Sequence, residues 1–244
     1  MTGYQTLGGV KYKFNSYGAN ASKLAIDVSS HNGNINWAKV RASGVEYAII
    51  RVGYRGYRNG NLMSDINFKA NIDGALKNGI QVGLYFYSQA VNNNEAIEEA
   101  SLAVNAVKGY SVKLPIYFDT EFTEMANTTN PGRADVLTSA QRTAIAKTFC
   151  ETVRGAGYQA GIYASKFFYY DNLIYNQLSS YHIWLAHYTS NGATTDFKYN
   201  YSMWQYTEKG KIDGISTNVD VNICLYDFVN KNDMSKLGEN IIFV

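Results

Sequence analysis

The sequence predicts an α/β fold: an irregular (β/α) barrel of about eight strands, with reduced helices in its last third. A chain of 244 residues is long enough for one such barrel. Strand-like runs recur along it, and helical patterns separate the earlier ones. The runs span residues 24–28, 47–52, 81–87, 115–118, 159–163, 182–186, 202–206 and 219–223. This alternation implies a parallel sheet with right-handed crossovers.

The first predicted helix follows the second strand. Asp65 can cap its start, and Phe68, Ile72 and Ala75 fall on one face at helical spacing. Gly79 fits the position just past its end. The pattern therefore indicates a strand–helix–strand unit.

Two further helices are predicted in the middle of the chain. The first carries an apolar series made up of Ile97, Ala100, Val104 and Val107. The second begins with Thr138 and Gln141 in the spacing of a capping box, and glycines at 155 and 157 close it. Beyond Tyr163 the strands come too close together for full helices, so the barrel should be irregular there.

The chain divides into three predicted regions. Residues 1–22 are an N-terminal extension, in which Val10, Tyr12 and Phe14 alternate with polar residues as in a strand or hairpin. Residues 23–226 form the barrel. Residues 227–244 are a tail whose apolar end could pack on the barrel or pair with the extension.

Composition excludes several classes of function. The formal net charge is +2, which provides no electrostatic footprint for nucleic acid and no strong attraction to a membrane surface. The two cysteines, Cys150 and Cys224, are predicted to be buried thiols, because their spacing fits neither a disulfide framework nor a metal site. No apolar run is long enough to span a bilayer, and the first residues lack the features of a signal peptide.

Aromatic content suggests a carbohydrate ligand. The chain has 21 Tyr, 11 Phe and 3 Trp. Rings with a polar tip can stack on the C–H face of a sugar while hydroxyl groups find hydrogen bonds. Most of these residues must nevertheless serve ordinary packing.

The most informative motif is Asp119-Thr120-Glu121, which directly follows a predicted buried strand. Residues i and i+2 of a strand point to the same side, so the two carboxyl groups should share one environment. Crowded like charges disfavour joint ionisation, so one of the two should keep its proton near neutral pH, as a general acid requires. The alternative is a solvated loop that merely ends the strand.

Two more acids are predicted at the same end of the barrel. Asp27 closes the first strand, and Asp220 lies in the last one. Active residues of such barrels sit at the C-terminal ends of the strands. Together with Asp119 and Glu121 they form a constellation of four acids.

Metal binding is one interpretation of these acids. Carboxylates suit Mg²⁺, yet the sequence has no glycine-rich phosphate loop, and His31, His182 and His187 lack zinc-site spacing. A serine hydrolase would need a G-x-S-x-G elbow, which does not occur. Glycoside hydrolysis fits better, because it needs only a protonated acid and nearby negative charge.

Several runs resemble the glycoside hydrolase family 25 lysozymes, the N-acetylmuramidases of phage endolysin and bacterial autolysin type. The opening run is 25–33 (AIDVSSHNG), with INW at 35–37, and the central one is 115–121 (PIYFDTE). Further matching runs are 161–164 (GIYA), 184–188 (WLAHY), 203–206 (MWQY), 214–216 (GIS) and 219–222 (VDVN). The resemblance covers about residues 23–226 in matching order, although the N-terminal extension is not part of the family core.

The resemblance implies a peptidoglycan hydrolase that cleaves the β-1,4 bond between N-acetylmuramic acid and N-acetylglucosamine without a cofactor or metal. By position, Glu121 is similar to the general acid/base and Asp119 to its partner. Asp27 and Asp220 match the two further acids of the cleft. Either a carboxylate such as Asp119 attacks the anomeric carbon, or the substrate's own N-acetyl oxygen does so while Asp119 orients it; the second is slightly favoured.

Residues near strand ends are the candidates for sugar contacts. The predicted set is Tyr85, Tyr87, Tyr163, Trp184 and Arg51. Strand residues alternate between the barrel interior and the helix layer, so about half of such aromatics should be core.

Predictions also concern four other residues. His31 and Trp37 match the family opening, but capping or packing is the favoured role for both. Tyr54 and Tyr57 are placed in a loop over the cleft.

Two other functions remain open at this point: a non-catalytic glycan-binding barrel, and a hydrolase of another N-acetylated glycan such as chitin. The expected partner is the glycan strand of peptidoglycan, with no nucleic acid and no membrane. The expected place of action is the bacterial cell wall, reached outside the cell or after lysis. The sequence does not predict the oligomeric state.

Overall fold

Eight strands close into a barrel in the structure, a computed structural model that describes residues 3–7, 10–14, 23–124, 126–190, 194–229 and 232–233. In the described chain the strands are β1 (Gly3–Leu7), β2 (Val10–Phe14), β3 (Lys23–Val28), β4 (Tyr47–Arg55), β5 (Leu62–Ser64), β6 (Gln81–Tyr87), β7 (Ile116–Asp119), β8 (Ala160–Ser165), β9 (His182–Ala186), β10 (Met203–Gly210), β11 (Val219–Cys224), β12 (Tyr226–Asp227) and β13 (Asn232–Asp233). All eight predicted strands are present.

The barrel order is β3-β11-β10-β9-β8-β7-β6-β4, and pairing of β3 with β4 closes it. The short strand β5, which the sequence analysis missed, adds to the outer part of β4 in antiparallel register. Neighbouring pairs from β10 back through β9, β8, β7, β6 and β4 to β3 are parallel. The predicted α/β barrel is therefore confirmed.

The last barrel strand corrects the expectation of a fully parallel sheet. β11 pairs antiparallel with both β10 and β3. It follows β10 after a short connection that holds no helix, and a connection of this kind joins antiparallel neighbours, whereas a parallel crossover needs a dozen residues or more. The N-terminal end of β11 consequently lies at the barrel end where the other strands finish.

The helices are α1 (Trp37–Ala42), α2 (Phe68–Lys77), α3 (Asn93–Ala106), α4 (Ser139–Gly155) and α5 (Lys166–Asp171), with 3₁₀ turns at Ser30–Asn32 and Tyr175–Gln177. No α-helix follows β9 or β10 in the described residues, as the close strand spacing predicts. The capping box of α4 forms as expected, with Thr138 accepting from the Gln141 N–H and the Gln141 side chain accepting from Thr138.

Two details of the helices differ from expectation. The N-cap of α2 is Asn67, not Asp65, although Asp65 Oδ1 accepts the Asn67 N–H at 2.9 Å. In α3 the buried face carries Ala96, Ala100 and Ala103, while Ile97 is 44% exposed. The three alanines belong to the apolar layer between the barrel and its helices.

Two apolar clusters stabilise the fold. The larger one fills the layer between the barrel and its helices, where Ile50, Ile72 and Phe149 are fully buried. The smaller one fills the barrel interior and includes Tyr117 and Trp184. Each large apolar side chain buried in this way contributes about 1.5–3 kcal/mol relative to exposure. Both cysteines are free and buried, as predicted.

The extension forms the predicted hairpin, since β1 pairs antiparallel with β2. In the tail, β12 pairs with β13. The predicted apolar end at 241–244 lies outside the described residues, so its suggested contacts with the barrel or the extension stay predictions. Among the helices that the structure describes, none has both the length and the apolar character needed to cross a bilayer.

Candidate active site

A cavity of about 610 Å³ opens at the end of the barrel where the parallel strands finish, and we call it the cleft. Its volume is within the usual range for small-molecule sites. The lining residues are Ser30, His31, Arg51, Tyr54, Tyr57, Tyr85, Tyr87, Asp119, Glu121, Thr123 and Glu124.

Asp119 and Glu121 both line the cleft. Asp119 is the last residue of β7, where it is paired with Tyr87 on one side and Tyr163 on the other. Glu121 lies just past the strand end, in the loop that Thr120 begins with its N–H bonded to the Tyr163 carbonyl at 3.1 Å. The motif thus delivers both carboxyl groups to one cavity, although only Asp119 belongs to the strand.

Burial and mutual repulsion raise the pKa values of both groups. For Glu121, burial is the main cause and the charge of Asp220 adds to it, which raises its pKa to about 7. For Asp119, burial followed by the charges of Glu121 and Asp27 raises the pKa well above the ordinary value. Within the described residues Glu121 has no salt-bridge partner. It can therefore hold a proton near neutral pH, as the sequence analysis requires of one acid.

Asp27 and Asp220 lie next to these acids as a hydrogen-bonded pair. They are register partners on β3 and β11, so the reversed strand is what brings Asp220 to the rim. Burial, then the charge of Asp27, then the hydrogen bond to it raise the pKa of Asp220 to about 8. Burial raises the pKa of Asp27 to about 6, against the opposing effect of its hydrogen bonds. Asp220 accordingly carries the proton between the two.

Two buried amides hold Asp27 in place. Gln205 Nε2 and Asn222 Nδ2 donate to the same oxygen, Asp27 Oδ2, at 2.9 and 2.8 Å. Gln205 and Asn222 face each other across β10 and β11. Two donors on one oxygen stabilise the ionised form of a carboxyl group, so this arrangement favours Asp27 as the charged member of the pair.

The amides are fixed in turn by aromatic residues. Gln205 Oε1 accepts hydrogen bonds from the hydroxyl groups of Tyr163 at 2.8 Å and Tyr188 at 2.7 Å. Asn222 Oδ1 accepts from Trp184 Nε1 at 2.7 Å. Because each amide oxygen is satisfied by a donor, each amide nitrogen must point to Asp27.

Sequence reasoning missed Gln205, Asn222 and Tyr188 as site residues. Gln205 and Asn222 are almost fully buried, whereas Tyr188 is 47% exposed. A signal was present, since a polar residue inside an apolar strand requires a buried partner. All three residues lie in runs that resemble the family, at 184–188, 203–206 and 219–222.

Trp184 does not lie where a sugar contact requires. Its ring is 1% exposed in the barrel interior, and the edges of Tyr85, Tyr117 and Tyr163 pack around it at centroid distances of 6.1, 5.1 and 4.5 Å. A ligand in the cleft would not touch it. The sequence prediction that Trp184 contacts the sugar is therefore wrong, and the ring supports the floor instead.

Arg51 lines the cleft but is anchored by two hydrogen bonds. Its Nε donates to Asp65 Oδ2 at 2.7 Å, and its Nη2 donates to Ser30 Oγ at 3.0 Å. Burial would raise the pKa of Asp65, but the N–H groups of Ser30 and Asn67 and the Arg51 charge outweigh burial and lower it. The guanidinium group thus ties the 3₁₀ turn after β3 to the start of α2.

The remaining predicted residues are divided between the cleft and the core. Tyr85 and Tyr87 line the cleft, whereas Tyr163 lies beside it with its hydroxyl group on Gln205. His31 lines the cleft and belongs to a 3₁₀ turn capped by Ser29. Trp37 is buried against Gly74 of α2, which agrees with the packing role expected of it.

Tyr54 and Tyr57 also line the cleft, as predicted, although Tyr54 belongs to β4 and not to a loop. The guanidinium group of Arg51 lies over the Tyr54 ring, 5.4 Å from its centroid. The Tyr57 ring is only partly covered by protein. Both rings thus contribute to the wall of the cleft.

A buried ion network holds the turn that carries Tyr57. Arg55, at the end of β4, donates to Glu99 Oε1 and to the Gly60 carbonyl, each at 2.8 Å. The Arg133 N–H donates to the Tyr57 carbonyl at 3.0 Å. These bonds fix the wall of the cleft to α3 and to the loop that follows β7.

The site can supply a proton donor and negative charge to one bound molecule. Glu121 near its pKa can donate and later accept a proton, and Asp119 Oδ1 is a buried oxygen without a hydrogen-bond partner in the described residues. In the part of the chain that the structure describes, no group of three or more His, Cys, Asp or Glu is arranged to hold a metal ion.

Comparison with known proteins identifies relatives for most of the chain. A family profile described as Glycosyl hydrolases family 25 matches residues 26–215. An autolytic lysozyme from Clostridium acetobutylicum is 27% identical over 197 residues, which cover 81% of this chain and 54% of the relative. The chain thus spans about half the length of that relative.

Solved structures show the same similarity. The modular autolysin LytC from Streptococcus pneumoniae is 29% identical with a TM-score of 0.73, and the match covers 91% of this chain and 52% of that one. LytC in complex with a synthetic peptidoglycan ligand gives a TM-score of 0.73 at 28% identity, with the same coverage. Both matches therefore extend over most of this chain.

Proposed function

The chain belongs to glycosyl hydrolases family 25, and we propose on this premise that it is a peptidoglycan hydrolase. The bond we propose is the β-1,4 linkage between N-acetylmuramic acid and N-acetylglucosamine. The observation that carries the proposal is a glutamic acid with a pKa of about 7 in the same cleft as a second buried carboxyl group. The names of the lysozyme and autolysin relatives support the same substrate class.

Glu121 is the general acid in the proposed reaction. It gives its proton to the glycosidic oxygen as the bond to the anomeric carbon breaks and the electron pair moves to that oxygen. As a carboxylate it then takes a proton from the attacking water. The negative charge of Asp27, held by Gln205 and Asn222, favours the positive charge that develops on the sugar ring.

Asp119 takes part in forming the intermediate. In one route, Asp119 Oδ1 attacks the anomeric carbon and forms a covalent ester. In the other, the N-acetyl oxygen of the substrate closes a ring on that carbon, and Asp119 orients the N–H of the same group. Asp119 Oδ1 is buried and has no hydrogen-bond partner among the described residues, so it is available for either role.

A chemical experiment separates the two routes. If the substrate assists, a sugar thiazoline that mimics the ring intermediate should inhibit competitively, and azide should not restore activity to Asp119→Gly. If Asp119 is the nucleophile, azide should restore activity and give a glycosyl azide with inverted configuration.

The function itself is tested with Glu121→Gln. Removal of the general acid should lower kcat on purified peptidoglycan by about 10²–10⁴. The exposed residue Glu151 provides a matched control, and Glu151→Gln should leave kcat unchanged. Wild-type protein that releases no reducing ends from peptidoglycan would end the proposal.

Product analysis separates the substrates. Mass spectrometry of the products from peptidoglycan should show N-acetylmuramic acid at the new reducing end, and chitin oligomers, which contain only N-acetylglucosamine, should be cleaved more slowly. Faster cleavage of chitin than of peptidoglycan would mean that the same reaction acts on a different glycan. Tight binding of muropeptides without any turnover would instead favour a glycan-binding barrel.

We further propose that the protein acts at the bacterial cell wall.

A further inference from the structure

A second groove lies at the opposite end of the barrel from the cleft, and we call it the far groove. It has a volume of about 470 Å³, and the residues that matter here are Tyr175, Ser180, His182, Lys198, Tyr199 and Tyr226. His182 begins β9 and Tyr226 follows the reversed strand β11, so both lie where the parallel strands start. The far groove is therefore separate from the active site.

Tyrosine rings form much of the wall of the far groove. Tyr175 and Tyr199 stack at 4.0 Å with an interplanar angle of 10°, and the Tyr175 hydroxyl donates to the Asn200 carbonyl at 2.9 Å. Tyr199 is 38% exposed. Tyr226 packs on His182 at a centroid distance of 4.8 Å. Rings held in fixed positions but still partly exposed offer flat apolar faces beside polar atoms.

The polar part of the far groove differs from that of the cleft. Ser180 and Lys198 are exposed, and none of the described residues that line the groove is acidic. The groove therefore lacks the general acid that hydrolysis needs. It presents hydrogen-bonding groups and a positive charge next to aromatic faces.

We propose that the far groove binds a second segment of the glycan strand and so holds the enzyme on its insoluble substrate. The choice of a glycan rests on the proposed function. Flat tyrosine faces suit the C–H faces of N-acetylated sugars, and serine hydroxyl groups suit their polar rims. Lys198 complements the carboxylate groups that muramyl residues and their peptides carry. The volume is typical of a ligand site.

Two binding modes become possible because the sites lie at opposite barrel ends. A single short oligosaccharide cannot reach both, whereas a wall with many strands can fill both together. Simultaneous binding raises the effective concentration of substrate at the cleft. The far groove should thus matter for insoluble wall and not for soluble fragments.

The test uses nuclear magnetic resonance on the full chain carrying Glu121→Gln, which should make turnover slow relative to the titration. Chitotetraose and a muramyl tetrasaccharide are titrated separately, and the backbone amide signals are followed. We expect two sets of shifts with separate saturation curves, one from cleft residues and one from residues 175–182 and 198–202. The shifts of the far groove should saturate with the muramyl sugar at lower concentration than with the uncharged one.

Two variants, each made in the Glu121→Gln protein, test whether the second set of shifts comes from the far groove. Tyr199→Ala removes an aromatic face, and Ser180→Arg fills the groove without removing any packed side chain. Each should weaken binding at the far groove at least about tenfold, with the cleft shifts unchanged. Tyr158 is half-buried in another loop at the same barrel end and outside the groove, so Tyr158→Ala serves as the matched control.

A kinetic readout uses the active protein. Tyr199→Ala and Ser180→Arg should slow clearing of insoluble peptidoglycan severalfold and leave kcat/KM on a soluble tetrasaccharide unchanged. Thermal unfolding excludes loss of the fold.

The possible outcomes are distinct. Groove signals that stay constant while the cleft saturates overturn the proposal, and that is the result expected if the chain's own residues 234–244 occupy the site. Shifts that persist in Ser180→Arg overturn it as well. Groove binding in a protein that hydrolyses no peptidoglycan would leave this proposal standing and remove the proposed function.

Discussion

Asp27 and Asp220 are cross-strand partners on β3 and β11, and their carboxyl groups share a hydrogen bond. The bond needs a proton on one of them, and the two amide donors on Asp27 Oδ2 favour Asp220 as its holder. Because Asp220 is then neutral, less negative charge accumulates at the rim of the barrel. The pair consequently makes the stability of the fold depend on pH.

Replacement of Asp220 by Asn should stabilise the protein at neutral pH. The folded state raises the pKa of Asp220 to about 8, so between pH 4 and pH 8 the unfolded chain releases a proton that the folded chain retains. That difference favours unfolding increasingly as pH rises through this window and vanishes below the ordinary aspartate pKa. An Asn side chain at position 220 can still donate an N–H to Asp27, but it does not ionise in this pH range.

We expect Asp220→Asn to raise the free energy of unfolding by on the order of 2 kcal/mol at pH 7 and by little at pH 4. Urea unfolding at both pH values measures this. If the variant and the wild type differed in free energy of unfolding by the same amount at both pH values, the explanation would be contradicted. Only an ionising group makes this difference depend on pH. Asp171→Asn, at an exposed position, is the control.

The rate of hydrolysis should follow a narrow bell-shaped pH profile. The acid limb reports the first ionisation of the acid cluster, for which Asp27 has a pKa of about 6. The alkaline limb reports loss of the Glu121 proton, with a pKa of about 7. Plots of kcat/KM against pH on a soluble tetrasaccharide should therefore peak between these values. Activity that rises continuously to pH 9 would refute the role of Glu121 as acid.

Replacement of Gln205 by Met should damage both stability and catalysis. Asp27 loses one of its two amide donors, and the hydroxyl groups of Tyr163 and Tyr188 lose their acceptor. Unpaired buried groups should lower the free energy of unfolding by about 2–4 kcal/mol. The pKa of Asp27 should rise further, so the acid limb of the pH profile moves to higher pH.

Exposed Gln177 offers a control for this experiment, and Gln177→Met should change neither quantity. The pH profile is the discriminating readout, because a residue that only packs would lower stability without moving the acid limb. An unmoved limb would mean that Gln205 does not position Asp27.

A pair of helical glycines should respond in opposite directions to alanine. In α2, a Cβ on Gly74 would lie 2.2 Å from Trp37 Cδ1, so Gly74→Ala forces a buried ring to move. In α4, a Cβ on Gly155 would meet no atom of the described residues within 4 Å. Gly155→Ala should stabilise by about 0.5–1 kcal/mol, and Gly74→Ala should destabilise by about 1–3 kcal/mol despite better helix propensity.

Thermal unfolding of both variants checks this pair, and it tests the packing role of Trp37 directly. Destabilisation by Gly74→Ala should largely disappear in a Trp37→Leu background, where the ring is absent. If the two glycine variants behaved alike, the close approach of α1 and α2 would be wrong.

Much of the fold was predictable because the barrel strands are apolar and regularly spaced. All eight appeared as sequence runs, and the capping box at Thr138 marked the start of α4. The short strand β5 was missed because three partly polar residues after a turn carry no strand pattern. The direction of β11 also escaped prediction, since apolar runs alone do not distinguish parallel from antiparallel pairing.

The candidate site was only partly predictable, for a similar reason. Asp119 and Glu121 could be placed because they follow a buried strand directly. Trp184 was misplaced because alternation along a strand does not tell the cleft from the barrel interior. Gln205 and Asn222 support the charge of Asp27 from neighbouring strands, and no local spacing in the sequence links them to it.

The reversed course of β11 determines where the polypeptide leaves the barrel. Phe228, shortly after it, packs against Tyr47 and His182, which begin β4 and β9. A label or affinity handle inserted after Val229 would therefore project from the base of the molecule and leave the mouth unobstructed. Oriented attachment to a bead or sensor through this point should present every active site outward.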